Sequence, residues 1–124
     1  QWNTIITVEN SGLIIRFKPG LIVQLLGSTS AAAEETGEVI SLSMEKGGLL
    51  SALNSEAAGV IYKVETFDSV VTVKGTEFGV FADDGKTVVF VSRGTVSAEH
   101  KPSGKVYEIG EGFTGEVGMD MTLR

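Results

Sequence analysis

The chain predicts an all-β fold, and three observations carry that reading. Sixteen glycines against two prolines in 124 residues mark many reversals of direction. Between them lie short runs rich in valine, isoleucine and phenylalanine, whose apolar side chains recur at every second position, the period of a strand with one face buried. About a dozen such runs follow one another near the 8–12-residue spacing expected of sandwiches and barrels, and no stretch requires a helix. Apolar residues make up 42% of the chain, enough for a core at this length, so disorder is not the default.

The elements follow in order. Asn3–Val8 and Leu13–Phe17 are apolar, β-branched runs separated by the turn residues Glu9-Asn10-Ser11-Gly12. Lys18-Pro19-Gly20 reverses the chain into a third run, Leu21–Leu26, because proline presets φ and glycine accepts the return. Gly27–Gly37 is small, polar and acidic and reads as a mobile surface loop. Val39–Met44 alternates cleanly, Glu45-Lys46-Gly47-Gly48 reads as a turn, and Leu49–Leu53 follows. After a polar break at Asn54–Gly59 come Val60–Thr66, a corner at Phe67-Asp68-Ser69, and Val70–Lys74. In the next run Phe78, Val80 and Ala82 share one face and Glu77, Gly79 and Phe81 the other. Asp83-Asp84-Gly85-Lys86 is a hairpin turn, since Asp hydrogen-bonds its own backbone and Gly takes positive φ freely. Val88–Val91 is apolar enough for a buried strand. Arg93-Gly94 turns into Thr95–Glu99, Lys101-Pro102-Ser103-Gly104 into Lys105–Ile109, and Gly110-Glu111-Gly112 into Phe113–Val117, with Met119–Arg124 as a terminal edge strand.

The residues from Val60 to Val117 carry a resemblance. The order V-x-V-x-G-T-x-F-x-V, then D-D-G-x-T, V-x-V, R-G-x-V and G-E-G resembles the FecR-like domain, named for the iron-dicitrate transport regulators of bacteria. Before Val60 only the pattern of short strands agrees. The resemblance implies an antiparallel double-sheet sandwich, similar to a jelly roll or double-stranded β-helix. It brings no catalytic residue and no cofactor. The chain departs from the regulators in showing Tyr62-Lys63-Val64-Glu65-Thr66-Phe67 where they carry a Pro-Phe. That places it nearer the FecR-like domains of diverse envelope and surface proteins.

Composition excludes several classes. The net charge is −6, and the ten basic residues form no run, so neither nucleic acid nor an anionic membrane surface is an expected partner. Without cysteine there is no disulfide framework or thiolate chemistry. No signal peptide is visible, and no apolar run approaches the roughly 20 residues that span a bilayer. The chain starts almost directly in strand-like sequence (Ile5, Ile6, Val8), as a domain excised from a longer envelope or surface protein would.

Candidate chemistry reads as structure at each point. His100 is the one histidine, beside a turn between Glu99 and Lys101. Metal sites want several ligands, so it reads as solvent-exposed. Asp83-Asp84-Gly85 lacks the closing glutamate of a calcium loop, since position 94 is glycine. Glu34, Glu35 and Glu38 read as a solvated acidic surface. Gly75-Thr76 lacks the further glycines, the lysine and the helix of a phosphate loop. There, Gly75 permits a bulge or tight corner, the Thr76 hydroxyl satisfies a freed backbone group, and Phe78 plugs the core. The residues expected to hold the motif are therefore Gly75, Thr76, Phe78, Gly85, Gly94 and Gly112, and those expected to make contacts are Trp2, Phe67 and Phe81. The expected function is a non-catalytic, extracytoplasmic protein-interaction or signal-relay module. The alternative is a structural or carbohydrate- or cell-wall-associated module of a surface protein. No metal or cofactor is expected.

Overall fold

A computed structural model describes residues 2–8, 13–27, 29–54, 59–73, 76–83, 86–117 and 121–123. Among them are thirteen strands and no helix: β1 Trp2–Val8, β2 Leu13–Lys18, β3 Leu21–Leu25, β4 Thr29–Thr36, β5 Val39–Leu53, β6 Ile61–Glu65, β7 Ser69–Val73, β8 Glu77–Asp83, β9 Lys86–Arg93, β10 Thr95–His100, β11 Lys105–Gly110, β12 Thr114–Val117 and β13 Met121–Leu123. The all-β expectation holds. Side-chain alternation decides which face of each strand turns inward: Leu21, Val23 and Leu25 of β3 are buried while Ile22 and Gln24 are not.

The strands form one large mixed sheet, wrapped nearly closed into a barrel around a single core. Its two arms share β5. The first half of β5 pairs with β4 and β6, and the first arm runs β1-β4-β5-β6-β7-β10-β11. The second half pairs with β3 and β8, and the second arm runs β2-β3-β5-β8-β9-β12-β13. Successive hairpins alternate between arms: β6–β7 lies in the first, β8–β9 in the second, β10–β11 in the first and β12–β13 in the second. All pairs are antiparallel except β5–β6, which is parallel, with Val39 opposite Ile61 and Ser43 opposite Glu65. The expectation was wholly antiparallel. A parallel pair needs a long return, and the second half of β5 with residues 54–60 supplies it.

Two segments differ from the sequence expectation. Gly27–Gly37 is not a mobile loop, because Thr29–Thr36 is a strand held between β1 and β5. Thr29, Ala31 and Ala33 face the core. Alanine is depleted in strands, so only two ready-made neighbours make this segment one. Glu45-Lys46-Gly47-Gly48 is not a turn either. The strand runs through it, with a register shift opposite Ser30 and Ala31 where β5 passes from one arm to the other.

The inner faces meet in one cluster. Leu42 and Val64 of the first arm lie in it with Leu49, Phe78 and Val80 of the second. Tyr62 crosses between the arms, its ring 5.9 Å from that of Phe78 at 52° and its hydroxyl 2.9 Å from Ser51 Oγ. Burial pushes this phenol far above its ordinary pKa of about 10, with the Ser51 hydrogen bond opposing the shift. The folded chain therefore holds that proton more tightly than the unfolded chain. Stability from this group is complete below pH about 10 and is lost as pH rises further, by up to about 1.4 kcal/mol per unit. Urea midpoints measured from pH 8 to 11.5 should fall more steeply above pH 10 for the parent than for Tyr62→Phe. Equal slopes would contradict this placement of the proton.

Candidate interaction surface

The outward faces of the two arms differ in chemistry. On the first arm the outward positions of one cross-strand row are Glu34, Ser41, Lys63, Thr72, Ser97 and Glu108, which is a solvated face. On the second arm the outward positions include Ile14 of β2, Ile22 of β3, Leu50 of β5, Phe81 of β8 and Phe90 of β9. Ile14 is 68% exposed and Ile22 36%. Ile14, Ile22, Leu50 and Phe90, together with Gln24, Glu77 and Ser92, line an open groove of about 340 Å³, at the low end of the range for ligand sites.

Two glycines shape this face. Gly79 lies opposite Phe90 and Gly48 opposite Phe81. A Cβ on Gly79 would come within 2.4 Å of the Phe90 ring and 2.9 Å of Leu50, and one on Gly48 within 2.5 Å of the Phe81 ring. The rings lie flat over the glycines, the cross-strand arrangement by which aromatics cover glycine in sheets. They also stack on each other, with centroids 5.9 Å apart and planes at 19°. The face is thus laid down flat and apolar by paired residues on adjacent strands.

The expected contact residues fall in different places. Phe81 is half-buried in the stack. Phe67 is 52% exposed at the corner between β6 and β7, away from this face. Trp2 opens β1 opposite Glu35 on the edge of the first arm. Sequence reasoning missed Ile14, Ile22, Leu50 and Phe90. The signal was available: Leu21–Leu26, Leu49–Leu53 and Val88–Val91 are apolar at both parities, so one apolar set must point outward.

Of the motif residues, Gly75 and Gly85 lie outside the described residues. Phe78 is 2% exposed in the core, and Thr76 is fully buried. The Thr76 carbonyl accepts from the Leu53 N–H at 2.9 Å, and its Oγ1 donates to the Thr95 carbonyl at 3.2 Å. Gly94, at φ +88°, donates its N–H to Glu111 Oε1 at 3.3 Å. Gly112, at φ +85°, donates to the Val91 carbonyl at 2.9 Å. The structure thus gathers Thr76, Gly94, Glu111 and Gly112 at one end of the barrel as turn and backbone contacts.

At the other end is a buried polar cluster. Asp68 Oδ1 accepts from Thr66 Oγ1 at 3.1 Å, Ser69 Oγ at 3.0 Å and Thr87 Oγ1 at 2.8 Å. Lys101 donates its N–H to the Asp68 carbonyl and its Nζ to the Thr66 carbonyl, each at 2.8 Å. The cluster ties the β6–β7 corner to β9 and to the β10–β11 turn. His100 is not solvent-exposed as expected. The alternation of β10 turns it inward with Val96 and Ala98, and it is 7% exposed with Nδ1 2.9 Å from Ser103 Oγ. Glu34 lies exposed on a strand rather than a loop, and Asp83 makes a surface ion pair with Lys46 at 3.5 Å. No group of three or more His, Cys, Asp or Glu side chains among the described residues is placed to hold a metal.

Comparison with known proteins places this scaffold. The profile of the FecR protein family matches residues 3–97, so the chain belongs to the FecR family. The match reaches back through β1 to β5, well before Val60, and stops short of Gly110-Glu111-Gly112. No curated protein matches in sequence. Two crystal structures of a candidate anti-sigma factor from Parabacteroides distasonis share the fold at 22% identity. One has a TM-score of 0.84 over 99% of this chain and 60% of that one, the other 0.82 over 98% and 59%. The chain spans about 60% of the length of these solved relatives.

Proposed function

We propose that this chain is an extracytoplasmic protein-interaction module of a FecR-family regulator, relaying a signal through contact rather than through chemistry. The observation that carries the reading is the FecR match over residues 3–97. The apolar outer face of the second arm supports it, because monomeric proteins rarely leave an ordered apolar groove uncovered unless it meets a partner. Similarity in fold to a candidate anti-sigma factor agrees with a regulatory role, and sigma-factor control is the form of regulation the reading favours. The comparisons lend the carbohydrate alternative no support. No helix among the described residues is long and apolar enough to cross a membrane.

Location is tested by fusing alkaline phosphatase, which needs disulfides formed outside the cytoplasm, to the gene product that carries this chain. An active fusion is expected. An inactive phosphatase alongside an active β-galactosidase fusion at the same position would contradict the extracytoplasmic reading.

A further inference from the structure

The two edge strands with described side chains are protected to different degrees. Natural edges are blunted with charges that discourage another chain from pairing. On β11, which among the described residues pairs with β10 alone, the exposed Val106 (58%) is bracketed by the charges of Lys105 and Glu108. On β2, which pairs with β3 alone, the free edge begins Leu13-Ile14-Ile15. Leu13 is 41% exposed, and Ile14 at 68% is the most exposed of the large apolar side chains described. Charge on β2 is confined to its second half, at Arg16 and Lys18, and the charge-free start of the edge borders the apolar groove, since Ile14 and Arg16 face outward beside Gln24 and Ile22. A strand added at β2 would therefore continue both the sheet and its apolar outer face.

Charge selects the occupant. The charged residues of β2 are Arg16 and Lys18, both basic, on a chain of net charge −6. A second copy is disfavoured, because two such chains repel and two basic edges place like charges together. An acidic residue on an incoming strand would meet Arg16.

We infer that the free edge of β2 accepts an extended segment of a partner protein by strand addition. The segment presents a β-branched residue to Ile14 and, two positions away on the same face, an acidic residue to Arg16. The inference rests on the protein-interaction reading above and names where and by what chemistry the contact is made.

The test uses the whole chain and a nine-residue synthetic peptide, rich in valine and threonine, with one central glutamate. A twin peptide carries lysine instead. Binding is followed by fluorescence anisotropy, and its location by hydrogen exchange. The glutamate peptide should bind and slow exchange across Leu13–Lys18. Ile14→Lys should weaken it about tenfold, the loss of one apolar contact. Arg16→Glu should reverse the preference between peptides, by about threefold each way for a cross-strand ion pair. Both positions are exposed, so circular dichroism melts should match the parent. No binding at millimolar peptide, protection at β11 instead of β2, or indifference to both substitutions overturns the edge assignment, while the phosphatase result stands or falls separately. A dimer in sedimentation that Ile14→Lys dissolves overturns it in favour of a second copy.

Discussion

Gly47→Ala is expected to destabilise the chain by about 3 kcal/mol or more, combining left-handed backbone strain with loss of a buried hydrogen-bonded contact. Gly47 sits at φ +122°, and a Cβ there would lie 2.2 Å from Thr29 Oγ1 and 2.7 Å from Thr29 Cα. The second distance is to backbone, so the side chain cannot simply swing aside. Thr29 holds this point: its Oγ1 accepts from the Gly48 N–H at 3.0 Å and donates to the Gly48 carbonyl at 3.2 Å. Moving Thr29 would open both bonds where β5 changes arms, and both arms depend on β5. A loss of about 3 kcal/mol in a domain of this size lowers the melting temperature by about 10 °C. Gly37 supplies the control. It too has positive φ, at +61°, but nothing lies within 4 Å of where its Cβ would be, so Gly37→Ala should cost only backbone strain, about 1 kcal/mol. Equal melting shifts for the two variants would show that the Thr29 contact contributes nothing.

Asp68→Ala should cost about as much, roughly 3 kcal/mol, by removing the acceptor shared by three buried hydroxyls. Thr66 is 3% exposed, Ser69 and Thr87 fully buried, so water cannot readily replace the carboxylate. Thr66 and Thr87 also contact each other at 2.9 Å, which limits the damage to less than three separate losses. Asp68→Asn keeps an oxygen acceptor and should cost less, about 1 kcal/mol. By contrast, breaking the Lys46–Asp83 pair, with side chains 70% and 65% exposed, should be nearly neutral. Denaturant midpoints of the three variants check the ranking. An Asp68→Ala chain as stable as Lys46→Ala would remove the cluster from the account of how the arms are held together.

The local grammar of the fold was legible, but its long-range pairing was not. Alternation placed Phe78 inward and Phe81 outward correctly because the period of a strand is fixed by its backbone. The turn at residues 101–104 was legible because Pro-Ser-Gly suits a reversal. Alternation says nothing about partners, so the parallel β5–β6 pair and the exchange of hairpins between arms left no local mark. β4 was lost because alanine does not announce a strand, and its outward Ser30, Ala32 and Glu34 resemble a loop. Gly47-Gly48 reads as a turn in isolation, and partners distant in sequence, Thr29, Leu26 and the β8 residues Phe81 and Ala82, keep the strand running through it. The candidate surface was hidden for a related reason. Val88–Val91 is apolar enough to suggest a wholly buried strand, whereas Phe90, like Ile22 and Leu50, lies on an outer face. His100 followed the same logic in reverse: its charged neighbours suggested exposure, but strand parity turned it inward.

Site-specific photocrosslinking in the native host, within the gene product carrying this chain, tests the central claim most directly. A photoreactive side chain at Ile22 or Leu50, on the apolar face of the second arm, should give a discrete covalent adduct with one protein. The same group at Thr72 or Ser97, on the polar face of the first arm, should give none. Adducts from the first arm alone, or from neither face, would contradict the assignment of the apolar face as the place where this scaffold meets its partner.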